Sequence, residues 1–145
     1  MAGSSSFASR RVSPSRPIRR FSLAQANSTL PLVKRIVADV VRLTAEAAGL
    51  RKQIEQTTDV KKQSGYQKEL DERANRMHQV VEELTVIGVE LKDPSIGLID
   101  FIGRHQGRDV YLCWKLGEES ITHWHDLQAG FAGRQPISSL EEDGE

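Results

Sequence analysis

Apolar residues recur at alternating spacings of three and four along one segment of the chain, and this heptad pattern restricts the possible folds more than any other feature. Between residues 30 and 56 the pattern comprises Val33, Ile36, Val40, Leu43, Ala47, Leu50 and Ile54. Such spacing places all of these side chains on one side of an α-helix on the order of 40 Å long. Because an isolated helix is only marginally stable in water, its apolar side needs a packing partner.

A second apolar stripe supplies that partner. It follows a polar segment at residues 57–65 and comprises Tyr66, Leu70, Met77, Val80, Val81, Leu84 and Ile87. Gly88 is a typical residue to end the second helix, because glycine readily adopts the left-handed conformation found there. Two stripes joined by a short polar connection predict an antiparallel helical hairpin over residues 21–87.

The beginning of the first helix carries a capping signal. Ser22 and Gln25 have the spacing of a capping box, in which both side chains bond to free backbone N–H groups of the first turn. This predicts a short helical turn, after which Ser28 or Thr29 caps the long helix. Pro31 is tolerated in the first turn of that helix.

After Gly88 the period of the apolar pattern changes from helical to two, which indicates strands. Strands are predicted at residues 98–102, 110–115 and 121–125, with a loop at 103–107 and a tight reversal at 116–119. The sequence therefore predicts the α+β class: a long antiparallel α-helical hairpin followed by a small antiparallel β-sheet of three or four strands, within residues 88–136.

The two ends of the chain are predicted to be tails. Residues 1–20 contain five arginines and no acid, whereas residues 137–145 are acidic and contain no base. The basic tail has the composition of an organelle transit peptide, but Pro14 and Pro17 would interrupt the helix that such a peptide needs, so disorder is preferred. Weak contacts of this tail are the one interaction with nucleic acid or acidic lipid that the sequence suggests.

Composition excludes several classes of function. The formal net charge is zero, so nothing global suggests a polyanion partner. No apolar run approaches the roughly 20 residues that span a bilayer, and the N-terminus lacks the apolar region of a signal peptide. Cys113 is the single cysteine and cannot form an internal disulfide, which favours a reducing compartment. A cytoplasmic protein is therefore expected.

Rare, chemically capable side chains are concentrated between Tyr111 and Arg134. Strand alternation assigns Tyr111 and Cys113 to one face of the middle strand, and Leu112 and Trp114 to the other. A connecting loop of three or five residues places His123 and His125 on the face of Cys113. A loop of two or four residues places the two histidines beside Leu112 and Trp114 instead.

The odd-numbered loop is preferred, because it separates the polar side chains from the apolar ones. It gathers Val110, Leu112, Trp114 and Trp124 on one face that can cover the helices. The other face then holds Tyr111, Cys113, His123 and His125, with Asp126 nearby. The candidate site for a ligand or partner comprises Asp100, Tyr111, Cys113, Trp114, Trp124, His125 and Arg134.

Asp100 lies in an apolar strand, where a carboxylate needs a partner. Arg104, Arg108 and Arg134 are the candidates for that partner. Arg134 and the glycine-rich segment at 130–133 could also present N–H groups to an anion. Pairing of Arg134 with a nearby acid is the simpler interpretation.

Cysteine, histidine and carboxylate side chains are ligands for zinc and other transition metals. One hypothesis is therefore a metal site at Cys113, His123 and His125. Their spacing is not a structural zinc signature, so no cofactor is predicted, and ordinary strand histidines beside a packed cysteine are the alternative. Cys113 and His123 could also form a thiol nucleophile and its base, although a cysteine in mid-strand is more often buried and inert.

Several short motifs resemble those of an uncharacterised bacterial family, a domain of unknown function found in short proteins. They are FSLAQAN at 21–27, LPL at 30–32, GV at 88–89, GLIDF at 97–101, VYLCWKLGE at 110–118, WH at 124–125 and GFAGR at 130–134. The resemblance covers residues 21–136 and implies no established activity, cofactor or catalytic residue. In that family the position of His123 is often aromatic, which makes His125 the more interesting histidine.

Two functional hypotheses follow. In the first, the chain is a small soluble binding or interaction protein of the cytoplasm. Its hairpin mediates self-association as a dimer, since two helices bury only one seam each, and its sheet holds a ligand or partner. In the second, it is a metal-dependent or thiol-based enzyme that uses Cys113, His123, His125 and either Asp100 or Asp126.

Overall fold

The structure, a computed structural model, describes residues 18–142. A helical hairpin precedes a five-stranded antiparallel sheet, which confirms the α+β class and gives a larger sheet than the three or four strands predicted. The helices are α1 (Leu23–Gln56) and α2 (Val60–Ile87). The strands follow chain order across the sheet and are β1 (Val89–Asp93), β2 (Leu98–His105), β3 (Arg108–Lys115), β4 (His123–Asp126) and β5 (Gln135–Pro136).

The helix α1 begins at the predicted capping box. The Ser22 hydroxyl accepts the Gln25 N–H at 3.0 Å, and the Gln25 side-chain oxygen accepts the Ser22 N–H at 2.9 Å. Within residues 18–142, neither helix combines the length and the apolarity needed to cross a membrane.

The predicted second cap at Ser28 or Thr29 is wrong, because α1 continues through both residues and through Pro31. Their hydroxyls donate to backbone carbonyls three residues earlier, at 2.7 Å in each case. Pro31 lacks the N–H that a helix interior normally uses. Ala26 and Leu30 precede it and are buried in the core, and this packing stabilises the helix across the proline.

The connection between the helices is residues 57–59, shorter than the predicted 57–65. Asp59 caps α2, since its carboxylate accepts the backbone N–H groups two and three residues further on, at 2.9 and 3.2 Å. Gly65 therefore lies inside the helix at an exposed position. The helix α2 ends at Gly88 as predicted, with a φ of +105°.

The hydrophobic core lies between the sheet and the half of the hairpin that is nearer to it. From the helices it includes Val33, Ile36, Val40, Leu43, Val80 and Leu84, and from the sheet Ile99, Phe101, Val110, Leu112, Trp114 and Trp124. Residues 44–76 are all described, and none of them belongs to this core. In the outer half of the hairpin, each helix therefore packs mainly on the other.

The register between β3 and β4 decides which side chains share a face. Leu112 lies opposite Trp124, and Cys113 lies opposite His123. The connection between these strands, residues 116–122, has seven residues, so the predicted length of three or five was wrong and its odd parity was right. The four apolar residues assigned to the helix-facing side, among them Trp114, are accordingly buried in the core as predicted.

The additional length of this connection has a packing reason. Ile121, within it, is buried in the core, and its N–H donates to the side-chain oxygen of Asn27 in α1 at 2.9 Å. The Trp114 indole N–H donates to the Glu118 carbonyl at 2.9 Å and closes the first part of the connection. A three-residue turn could not reach the helix.

Strands β1 and β5 were not predicted, and the loop predicted at 103–107 is wrong. Gly103 lies within β2, and only Gln106 and Gly107 form the turn, with φ values of +52° and +81°. A Cβ atom on Gly103 would lie 2.8 Å from the Leu112 side chain. Glycine is thus needed at this position for close packing, whereas the sequence pattern suggested a turn.

Part of each predicted tail is described. Residues 1–17 and 143–145 lie outside the described residues, including Arg10, Arg11 and Arg16. The Arg20 guanidinium donates to both carboxylate oxygens of Asp109, at 2.8 and 3.0 Å. At the other end, the Glu142 carboxylate accepts the Leu23 N–H at 2.6 Å, which joins this part of the acidic segment to the beginning of α1.

Candidate functional site

The outer face of the sheet, turned away from the helices, carries the polar side chains that the sequence singled out. The strand register places Asp100 opposite Cys113 and Tyr111 opposite His125. Because alternate residues of a strand share a face, these four side chains lie together on the outer face. We refer to them as the outer-face cluster.

Asp100 and His125 form a buried pair at the centre of this cluster. The His125 Nε2 atom lies 3.3 Å from Asp100 Oδ1 and 3.2 Å from Oδ2. The predicted arginine partner for Asp100 was wrong, since the imidazole takes that place. Asp100 is 2% exposed and His125 is 3% exposed, so each depends on the other to compensate for lost hydration.

The His125 ring is held in one orientation by the backbone of β4. Its Nδ1 atom lies 2.8 Å from the Asp126 carbonyl oxygen. A carbonyl oxygen can only accept, so Nδ1 carries a proton and Nε2 faces the Asp100 carboxylate. A contact between Nε2 and a carboxylate at this distance requires a proton or another cation between them, because both atoms otherwise present lone pairs.

Burial shifts the acid–base behaviour of the cluster. It is the largest cause raising the pKa of Asp100, while His125 and Lys92 partly oppose that rise. Burial also raises the pKa of the Cys113 thiol to about 12, and the neighbouring Asp100 charge adds to this effect. At neutral pH the thiol is therefore protonated and a poor nucleophile.

Tyr111 connects the cluster to the edge strand β1. Its hydroxyl donates to the Glu90 carboxylate at 2.9 Å, and burial is the main reason why the pKa of Tyr111 is raised. The Lys92 ammonium lies 2.9 Å from the same Glu90 oxygen and 4.5 Å from the centre of the Tyr111 ring. The Tyr111 ring also contacts the His125 imidazole, with 5.4 Å between ring centres.

A recess of about 170 Å³ opens above the Asp100–His125 pair. Its walls are formed by Lys92, Leu98, Asp100, Tyr111, His125, Leu127, Gly130 and Phe131. The segment after β4 supplies one wall, and Phe131 in that segment is 44% exposed. This volume has room for on the order of five water molecules, so it fits an ion or a very small molecule.

The other predicted site residues do not line the recess, although His123 shares the outer face with Cys113, which lies opposite it in the register. Trp114 and Trp124 belong to the core on the opposite face of the sheet. His123 is half-buried, and its Nδ1 atom lies 2.9 Å from the Thr122 hydroxyl. Asp126 is exposed, and its carboxylate accepts hydrogen bonds from Arg108 at 2.8 and 3.2 Å.

Arg134 pairs with an acid, as the simpler interpretation expected. Its guanidinium donates to the Glu118 carboxylate at 3.0 Å and lies 4.7 Å from the centre of the Phe131 ring. Arg134 therefore supports the segment that forms one wall of the recess, although its own side chain does not line the recess.

Sequence reasoning missed Glu90, Lys92 and Phe131. The first two lie on β1, which was not recognised as a strand. The alternation of apolar and polar residues in VELKD at 89–93 is the signal that could have identified it. The contribution of Phe131 depends on how the segment after β4 folds back, and no periodic pattern reports this.

The fold and the site define a small α+β protein with a partly covered polar recess on one face of its sheet. The chain belongs to the uncharacterised conserved protein family DUF2203, whose family model matches residues 19–137. The matched range includes both helices and all five strands, and the match confirms the expected resemblance to an uncharacterised family. Comparisons with curated proteins and with solved structures gave no match.

Proposed function

We propose that this protein is a small binding protein whose ligand site is the recess above the Asp100–His125 pair. One observation carries the proposal: a nearly fully buried carboxylate–imidazole pair forms the base of a recess that opens to solvent. Apolar residues at such positions would commonly be equally or more stabilising than an ion pair. A polar pair at the base of a recess is therefore better explained by recognition of a ligand than by stability.

The walls of the recess indicate the kind of ligand. The Asp100–His125 pair and Lys92 offer polar groups, whereas Leu98 and Phe131 offer apolar surface. A small polar ligand would bond to the pair at the base and be covered by the segment at 127–133. A thiol-based reaction is not favoured, because the pKa of Cys113 is raised to about 12. A cytoplasmic location stays a prediction from the single cysteine.

The first prediction concerns this recess. The ¹⁵N-labelled protein is titrated by NMR with imidazole, acetate and phenol as separate probes. We expect at least one probe to bind with a Kd on the order of millimolar, because molecules with so few atoms make few contacts. Its shift changes should concentrate at residues 98, 100, 111, 125, 130 and 131. Asp100→Asn should weaken this binding, because it removes the carboxylate charge that faces the His125 ring at the base of the recess.

The matched control for that titration is Asp126→Asn. It makes the same chemical change one residue beyond His125, at an exposed carboxylate outside the recess. It should leave the binding unchanged. Shift changes scattered over the whole surface for all three probes, or equal binding by the Asp100→Asn variant, would contradict the proposed site.

The proposal also includes self-association through the outer half of the hairpin. An open groove of about 430 Å³ lies there, and its lining includes Leu43, Ala47, Leu70, Ala74 and Met77. Residues 44–76 have no sheet to cover them, so a second hairpin is the natural occupant. Arg51, Arg73 and Asp71 also line the groove, and a two-fold axis can place the acid of one copy against a base of the other.

The second prediction tests this association. Sedimentation equilibrium should give a monomer–dimer equilibrium. Ala74→Glu should weaken dimerisation at least ~10-fold, because it puts a larger, charged side chain where the second hairpin would pack. Ala48→Glu is the control, since Ala48 is also an exposed alanine of the outer hairpin but does not line the groove. A monomer at every concentration, or equal weakening by both substitutions, would exclude this interface.

A further inference from the structure

We propose that Asp100, Cys113 and His125 form a binding site for a divalent transition metal ion, with zinc as the best match, at the base of the recess. The inference rests on the proposed function, because it names the ligand class of the same recess. It also revises the ligand set expected from the sequence, in which His123 took the place that Asp100 takes here.

The donor atoms of these three residues are already close together. One carboxylate oxygen, the Cys113 sulfur and one His125 ring nitrogen all lie within 4.8 Å of one another. Donor atoms around a tetrahedral zinc ion are about 3.5 Å apart, given bond lengths of about 2.0–2.3 Å. Side-chain movements of about 1 Å would therefore complete the geometry. Within residues 18–142, no other group of three such side chains is arranged in this way.

The His125 ring is oriented as a metal ligand usually is. A histidine that binds a metal commonly donates its other ring N–H to a carbonyl or carboxylate, which fixes the ring and its tautomer. Here Nδ1 donates to the Asp126 carbonyl at 2.8 Å. The Nε2 lone pair of the neutral ring then points toward Asp100, where a cation between the two groups would remove their repulsion.

The charges of the three ligands suit a dication in a buried place. A thiolate, a carboxylate and a neutral imidazole bring two negative charges, and Zn²⁺ balances them. All three side chains are buried. An assembly without net charge loses less hydration free energy on burial than a charged one. The mixed sulfur, nitrogen and oxygen set is typical of zinc, whereas magnesium and calcium prefer oxygen ligands alone.

The recess provides a place for a fourth ligand. Asp100 and His125 line it, whereas Cys113 does not line it and is fully buried. Three protein ligands with one position open to solvent are characteristic of a zinc site that binds or activates a small molecule, whereas structural sites have four protein ligands. His123 contributes no donor atom to the group of three.

The third prediction is the test of this site with Co²⁺ as the probe. Tag-free protein, freed of metal with a chelator, should bind one Co²⁺ per chain and develop the visible bands of a tetrahedral site, with a thiolate-to-cobalt charge-transfer band. Because Cys113 is the only cysteine of the chain, this band identifies Cys113 as a metal ligand without the need for a variant. Zn²⁺ should then displace Co²⁺ and abolish the spectrum.

Four variants define the ligand set. Cys113→Ser should abolish the charge-transfer band, and Asp100→Asn and His125→Gln should each weaken Co²⁺ binding more than ~10-fold. His123→Gln is the matched control and should bind as the wild type does. Far-UV circular dichroism checks folding, and the wild-type spectrum decides the role of sulfur even if a variant unfolds.

Two results would overturn the metal site: a wild-type protein without the charge-transfer band, or equal weakening by His123→Gln and His125→Gln. If the NMR probes bind the recess but Co²⁺ does not, the metal inference fails and the proposed function remains. If neither the probes nor Co²⁺ bind, both fail, and the Asp100–His125 pair has a purely structural role.

Discussion

Trp114→Ala is expected to lower the free energy of unfolding by about 4 kcal/mol, which is a large part of the stability of a domain of this size. Trp114 is fully buried in the core between the sheet and the helices. It lies opposite Ile99 on β2, and its indole N–H donates to the Glu118 carbonyl. Among residues 18–142, the substitution therefore removes the largest fully buried side chain, together with a hydrogen bond that closes the connection after β3.

Urea unfolding followed by far-UV circular dichroism measures this loss, with the fluorescence of the remaining Trp124 as a second probe. Trp114→Phe is the control, because it keeps much of the apolar area but removes the indole N–H and part of the ring volume. We expect it to cost about 1–2 kcal/mol. A loss below about 1 kcal/mol for Trp114→Ala would mean that this residue does not join the sheet to the helices.

His125→Ala is expected to destabilise the metal-free protein by about 3 kcal/mol at pH 7, because it leaves the Asp100 carboxylate buried without a partner. Lys92 and Cys113 are the other groups that face Asp100. Lys92 is paired with Glu90 and exposed at the edge, and the Cys113 thiol is neutral. Neither can take the place of the His125 ring beside the buried carboxylate.

The destabilisation caused by His125→Ala should depend on pH in a defined direction. Burial raises the pKa of Asp100 in the folded state, and removal of His125 raises that pKa further, because the imidazole opposes the rise. Between the unfolded value of about 3.9 and the raised folded value, the native state binds the additional proton. The free energy of unfolding of the variant should therefore fall as the pH rises through this window, and the penalty should be smaller at pH 4.5 than at pH 7.

A double substitution separates the destabilisation caused by the unpaired Asp100 charge from the destabilisation caused by lost packing. In the His125→Ala background, Asp100→Asn removes the charge and should restore about 1–2 kcal/mol at pH 7, with little effect at low pH. Thermal unfolding in the presence of a chelator, at several pH values, measures the wild type and both variants. A His125→Ala penalty that is independent of pH would show that the carboxylate is not held in a desolvated state.

Local patterns were sufficient to predict the helices and the two faces of β3 and β4. The alternation of Leu112, Cys113 and Trp114 admits two faces, and the odd parity followed from keeping the imidazoles away from the core. The register of Cys113 with His123 confirms that parity. The same reasoning failed for the length of the connection, because Ile121 packs against α1, a contact that no pattern in residues 116–122 reveals.

The candidate site could be predicted only in part. Tyr111, Cys113 and His125 were grouped correctly, because alternation within each strand and the odd parity of the connection together place them on one face. The partner of Asp100 was assigned to an arginine, since charge was the only guide available from sequence. In the structure, Asp100 of β2 reaches His125 of β4 across β3. That contact exists because three strands are adjacent in one register.

The sequence by itself determined the α+β class, the hairpin and the side of the sheet on which each β3 side chain lies, because these follow from periods of 3.5 and 2 along short stretches of chain. Only the tertiary structure decided that Asp100 pairs with His125, that β1 brings Glu90 and Lys92 beside Tyr111, and that Phe131 lines the recess. These contacts join residues far apart in the chain. Their free energy depends on which strands pair and how the connections pack, and no local period carries that information.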